Sequence, residues 1–241
     1  MLTNFKEDTQ VQESKSRGAM VNAFLTQSPG KDEDTCTFVK SLVGGDGLKG
    51  VGGFSLVCGK VGGPLAVVSN RTPSVKGTTW LAEKRGETVG LSNAAFGDRS
   101  WPKVLQGEKL MASVIAESVT RKDSKSGFVE AMIGLLSVNT LPEKEEGQGW
   151  ESYVKELRKS IFIPVVGGDG ADEMAADDVA AARTDQHTQG LSGVYGTQKQ
   201  TVVLVDHHGR VTFVERTLYG NEAREVKSQD QDRWFEFRIE D

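Results

Sequence analysis

The feature that most constrains this 241-residue chain is a stretch near its carboxy-terminal end. Thr201-Val-Val-Leu-Val205 and Arg210-Val-Thr-Phe-Val-Glu215 are rich in β-branched residues. They are separated by Asp206-His-His-Gly209, whose residues favour turns. Branched side chains fit a pleated surface and Gly209 permits the turn, so local preference and pattern both specify an antiparallel hairpin. Arg233-Trp-Phe-Glu-Phe-Arg-Ile239 alternates apolar and charged residues, which predicts an edge strand.

The same reading gives a second hairpin from Gly53–Cys58 and Leu65–Ser69 around Gly59–Pro64. Short strands are expected at Thr79–Ala82, Thr88–Ser92 and Ile161–Val165. Outside the hairpins the apolar period lengthens. Ala19–Leu25 reads as a short helix stopped by Ser28-Pro29-Gly30. Asp32 or Asp34 caps a helix carrying Phe38, Val39 and Leu42, ended by Gly44-Gly45. Residues 102–119 begin with Pro102 and place Val104, Leu105, Leu110, Met111, Val114, Ile115 and Val119 mostly at helical spacing. Phe128–Leu136 is a further helix, and Trp150, Tyr153, Val154 and Leu157 recur at roughly helical spacing in a charged stretch. Residues 6–18 read as a loop, and 167–190, rich in Gly, Ala and Asp, as a mobile insertion. Antiparallel strands segregated from helices define an α+β fold, expected as one domain over 1–241.

Composition removes several functions. The net charge of −5 leaves no electrostatic footprint for nucleic acid, and Arg121-Lys122 with Lys125 is short and interrupted by Asp123. No apolar run reaches the ~20 residues of a membrane-spanning helix, and the first residues lack the pattern of a secretion signal. A soluble, intracellular protein is expected. Cys36 and Cys58 are not paired with histidines at zinc-site spacing. His207-His208 reads as a turn, since neighbouring strand residues point to opposite faces. Gly44-Gly-Asp-Gly47 and Gly167-Gly-Asp-Gly170 precede no phosphate-loop lysine, and no Gly-x-Ser-x-Gly elbow occurs. No cofactor is expected.

Four ordered segments carry a family resemblance. They are Leu2-Thr-Asn-Phe5 with Ser16-Arg-Gly18; Gly52-Gly-Phe-Ser-Leu56 with Ser69-Asn-Arg71; Gly90-Leu-Ser-Asn93 with Trp101-Pro-Lys103; and Tyr195-Gly-Thr197 with Thr201–Asp206, Gly209 and Val211–Arg216. In this order they resemble the transport-and-Golgi-organisation-2 family, the Asn-Arg-Asp-Glu domain proteins. The resemblance implies a fold like the amino-terminal-nucleophile hydrolases, here a partial four-layer αββα sandwich with antiparallel sheets. It also implies a role in Golgi organisation, protein secretion, or lipid or haem handling, in the cytoplasm or at the Golgi.

In the related hydrolases an amino-terminal cysteine attacks an amide, its own α-amine serving as base. By comparison with the family, the segment bearing that cysteine and the Asn-Arg-Asp-Glu motif is expected upstream of Met1, a third of the family domain. As written, Met1-Leu2 supplies no nucleophile, and Cys36 and Cys58 are internal. The expectation is a non-enzymatic protein, or an amide hydrolase if the true start lies upstream. Gln198-Lys199 stands where the family pattern usually has Arg, which weakens any guanidinium contact to a ligand anion.

The ligand-binding candidates are Asn93, Asn4, Arg71, Trp101 and Thr197. Asn93 is a ligand donor or a turn residue bonding its own backbone. Asn4 is a second donor or part of a fraying terminus. Arg71 pairs with a ligand anion or a carboxylate at the core's edge, and Trp101 anchors a helix start or lines a pocket. The expected ligand is apolar or acyl, and a protein partner is expected over an exposed sheet edge. Three histidines, two of them in a turn, add nothing for haem.

Overall fold

A computed structural model describes residues 1–4, 16–26, 34–45, 47–81, 83–143, 155–166, 195–220, 224–227 and 230–239. They form a mixed α+β structure with two antiparallel sheets and four α-helices among the described residues. Residues 6–15 of the expected loop 6–18, the stretch 167–190, and Trp150, Tyr153 and Val154 lie outside the described residues. The described chain divides into two compact units, one built on residues 1–100 and the other beginning at Trp101.

In the first unit, β1 (Leu2–Asn4), β2 (Phe54–Cys58), β3 (Leu65–Ser69) and β4 (Thr79–Leu81) form a sheet in that order, each neighbour antiparallel. β2 is central. Its Phe54, Ser55 and Leu56 are essentially without solvent contact, so both faces of the strand are covered there. One face is covered by α1 (Gly18–Leu25) and α2 (Thr35–Gly44), whose Met20, Phe38, Val39 and Leu42 pack with Phe54, Leu56, Cys58, Ala66 and Val68. Asp34 starts α2: its Oδ1 accepts the Thr37 N–H at 2.7 Å.

Two sequence expectations are corrected in this unit. Thr88–Ser92 is irregular rather than a strand, because Gly90 interrupts its short apolar run and no strand of the described sheet pairs with it. Asn4 does not fray: Asn4 lies opposite Phe54 in the ladder, and Met1 and Val57 exchange hydrogen bonds of 2.8 Å in both directions.

In the second unit, α3 (Pro102–Arg121) and α4 (Lys125–Leu136) precede the sheet β5 (Lys199–Val205), β6 (Arg210–Thr217), β7 (Asp232–Arg238), again antiparallel and in sequence order. The hairpin expected at 201–215 is present and longer by two residues at each outer end. Val129, Met132 and Ile133 of α4 pack on Val202 and Val214, covering one face. α3 closes with Lys122 in the left-handed region, φ 56°, and the Asp123 N–H returns to the Ser118 carbonyl at 3.0 Å.

Ile161–Val165 is not a strand. Pro164 has no N–H to give a ladder, and only Val166 bridges to Tyr195, by paired 2.8 Å hydrogen bonds. His207 and His208 do lie in a turn, but their rings approach to 3.9 Å rather than pointing to opposite faces, since the turn breaks the strand's alternation. No described helix is long and apolar enough to cross a membrane.

Candidate functional site

The first unit gathers asparagines at one end of its sheet. β1 ends at Asn4, opposite Phe54 where β2 begins, and Asn70 follows the end of β3. Asn70 Oδ1 accepts the Phe54 N–H at 3.3 Å. The irregular Gly90–Asn93 segment returns to this corner, where Asn93 Nδ2 donates to the Asn4 carbonyl at 3.0 Å. Asn93 therefore bonds a distant strand and not its own backbone. Below it the buried Ser55 hydroxyl donates to the Ala94 carbonyl at 3.3 Å, fixing the turn to β2. An amide nitrogen carries two hydrogens, so Asn93 retains one beyond the Asn4 contact.

Arg71 stands beside Asn70 in the turn after β3, exposed, with its N–H donating to Ser69 Oγ at 3.2 Å. The Ser69 N–H donates in turn to Thr72 Oγ1 at 2.9 Å. The structure thus brings Asn4 and Asn93 into contact and sets Arg71 next to Asn70, which holds Phe54 opposite Asn4. Nearby, Arg17 Nε donates to the Gly53 carbonyl at 3.2 Å, which gives the Ser-Arg-Gly segment a place at the start of β2.

Trp101 and Thr197 belong to the second unit. Trp101 is the residue before Pro102 at the start of α3, and two cations approach its ring, Lys103 Nζ 5.2 Å and Arg158 5.0 Å from the centroid. The Lys103 N–H donates to the Arg158 carbonyl at 3.2 Å, and burial lowers the pKa of the Lys103 ammonium. Thr197 is occupied by Ile163: its hydroxyl oxygen accepts the Ile163 N–H at 2.9 Å and its own N–H donates to the Ile163 carbonyl at 2.8 Å. Gly196 explains the motif's glycine, because a Cβ there would stand 3.1 Å from both the Pro164 carbonyl oxygen and Val165 Cα. Burial also raises the pKa of the Tyr195 hydroxyl.

Sequence reasoning missed Asn70, Lys103 and Arg158. The first two sit inside the quoted Ser-Asn-Arg and Trp-Pro-Lys motifs, whereas nothing local marks Arg158. Of the thiols, Cys36 is half-buried at the start of α2, and Cys58 is in the core, where burial pushes its pKa up to about 11. A protonated, enclosed Cys58 is a poor nucleophile. Among the described residues no group of three His, Cys, Asp or Glu side chains could hold a metal ion.

The arrangement is an antiparallel α+β scaffold with an asparagine corner. It is matched over residues 1–220 by the family described as Transport and Golgi organisation 2. The chain belongs to this family. It is 24% identical to the Mus musculus Transport and Golgi organization 2 homolog, over 99% of this chain and 74% of that protein. The Bos taurus homolog is 26% identical over the same shares. An uncharacterized protein of Saccharomyces cerevisiae is also 26% identical, over 99% of this chain and 78% of its own length.

Proposed function

We propose that this chain acts in Golgi organisation and secretion as a ligand-holding protein that cleaves nothing, its ligand an apolar or acyl molecule bound at the Asn4–Asn93 corner beside Arg71. One observation carries the non-catalytic part: both thiols are internal, Cys36 in the first turn of α2 and Cys58 enclosed in the core, where burial pushes its pKa up to about 11, so neither carries the free α-amine that serves as base in the amide attack. The family membership supports the trafficking part, as do relatives named for transport and Golgi organisation. The matched range, 1–220, runs through both compact units, which supports a single family domain. The finer fold we propose is a partial αββα sandwich like that of amino-terminal-nucleophile hydrolases.

The second reading is a cysteine amide hydrolase in a longer form of the protein. The match to 74–78% of the relatives' lengths leaves room for it.

Incubation with a mixture of long-chain fatty acids and N-acyl amides, followed by native mass spectrometry, tests both. The expected result is one retained acyl molecule per chain, weakened about tenfold by Asn93→Ala through loss of one amide donor, with no amide turned over. Turnover by the purified chain, or binding indifferent to Asn93→Ala, sinks the proposal.

A further inference from the structure

Among the described residues β7 is an edge strand. Its seven residues, Asp232-Arg-Trp-Phe-Glu-Phe-Arg238, are all exposed, and it has β6 on one side and no described strand on the other. Edge strands are ordinarily protected by proline, charged side chains or bulges. β7 contains no proline and pairs with β6 without a break from Arg216↔Asp232 to Arg210↔Arg238; four of its seven residues are charged, so what it would pair with must match those charges. Phe235 and Phe237 are 52% and 57% exposed, on the face shared with Val203 and Val205, 54% and 41% exposed, and opposite the face covered by α4.

The hydrogen-bond phase of the free side follows from the occupied one. The Thr217 N–H donates to the Gln231 carbonyl at 2.8 Å and the Ile239 N–H to the Gly209 carbonyl at 2.9 Å. Odd-numbered residues of β7 therefore turn their main-chain groups toward β6. Asp232, Trp234, Glu236 and Arg238 turn theirs outward. Any strand added here must bond those four.

We propose that the occupant is β7 of a second copy, paired antiparallel about a two-fold axis at Phe235. Four even-numbered residues then face four even-numbered residues, in phase, for on the order of eight main-chain hydrogen bonds. Asp232 meets Arg238 of the partner subunit, and Trp234 meets the partner's Glu236. On the aromatic face Phe235 meets the partner's Phe235, and Arg233 meets the partner's Phe237, a cation over a ring. Each contact occurs twice, as an isologous interface requires.

The neighbouring in-phase registers fail on charge. A two-fold axis at Trp234 opposes Asp232 to Glu236, and one at Glu236 opposes that residue to its own copy. Like charges directly opposite destabilise a sheet. Asp232 already accepts Arg216, at 2.7 Å to each oxygen, and Glu236 accepts Lys125 and, at 3.0 Å, the Trp234 indole N–H of its own chain, but a carboxylate has lone pairs for a further donor. Charge complementarity thus selects one occupant and one register. An interface of one strand edge with its flanking aromatics lies at the small end of specific interfaces, so the dissociation constant is expected on the micromolar order. This inference does not rest on the ligand-holding reading.

The experiment is sedimentation velocity on the full chain across a concentration series, with Phe235→Lys, Phe235→Cys and Val203→Cys variants. Phe235 is exposed, so substitution leaves the fold intact, which far-UV circular dichroism checks. The expected result is a dimer dissociating on dilution, and Phe235→Lys, which faces itself across the axis, weakens it about thirtyfold. Paired residues without main-chain bonds between them bring Cα atoms to about 4.5 Å, within disulfide reach. Phe235→Cys therefore cross-links two chains under glutathione-buffered oxidation, and Val203→Cys, on the same face but off the axis, does not. A chain monomeric at about 100 μM, a dimer indifferent to Phe235→Lys, or cross-linking through Val203→Cys overturns the proposal. So does a monomer that floats with lipid vesicles, which would assign the face to a membrane.

Discussion

Arg216 ties three elements of the second unit together, and its removal can be worked through quantitatively. From β6 its guanidinium reaches Asp232 on β7 with Nε and Nη2, both at 2.7 Å, and Glu130 on α4 with Nη2 at 2.8 Å and Nη1 at 3.3 Å. The Arg216 side chain is 20% exposed, Asp232 35% and Glu130 59%. The Asp232 pair is a two-pronged, charge-assisted contact shielded on its arginine side. After discount for the solvent at Asp232 it contributes about 1.5 kcal/mol. The Glu130 pair, with one long leg and an exposed carboxylate, contributes about 0.5 kcal/mol. Arg216→Met is therefore expected to cost about 2 kcal/mol, a fall in Tm of roughly 4–8 °C for a chain of this size.

Double-mutant cycles with Asp232→Asn and Glu130→Gln, read by thermal melting at fixed protein concentration, apportion the loss. Coupling to Asp232 should be at least twice that to Glu130. The pH dependence has a definite sign. Hydrogen bonding to Arg216 holds the Asp232 pKa below its ordinary value. The contribution is therefore complete above the unfolded carboxylate pKa, near 4, and is lost as pH falls through the lower folded value. The stability gap between native chain and Arg216→Met should be flat from pH 7 to about 5 and close below. A Tm change under 1 °C, stronger coupling to Glu130, or a gap that widens in acid would refute the reasoning.

Two further outcomes follow from local geometry. Ser160 is fully buried, and its Oγ donates to the Phe162 carbonyl at 2.6 Å while accepting the Thr140 N–H at 2.9 Å. Ser160→Ala strips both partners and is expected to lower stability by about 1–3 kcal/mol in urea titration, with the m-value unchanged. Lys122 ends α3 at φ 56°, a strained conformation for a residue with a Cβ, so Lys122→Gly should raise stability by about 1 kcal/mol. A loss on that substitution would mean that the lysine side chain supplies more than the backbone strain removes.

What the sequence disclosed depended on whether the signal was local. The 201–215 hairpin was legible because branched alternation and turn residues agree within a few positions. α3 was legible from Pro102 and its apolar spacing. Thr88–Ser92 and Ile161–Val165 misled because a short apolar run becomes a strand only when a partner strand offers its edge. Neither run meets one among the described residues, Gly90 and Pro164 working against it. The site divided in the same way. Asn93 and Asn4 could be singled out by motif, but the bond that joins them spans 89 positions and belongs to the tertiary structure alone. Arg158 reaches the Trp101 ring from a charged stretch in which no motif marks it. The outward face of β7 was visible as alternation, whereas the phase of its free hydrogen bonds required the register with β6.

The clasp between Val166 and Tyr195, reinforced by Thr197 on Ile163, has a practical consequence. It fastens residues 163–166 and 195–197 to one spot by four hydrogen bonds, so Thr197→Val, which strips the hydroxyl from Ile163, loosens both segments at once.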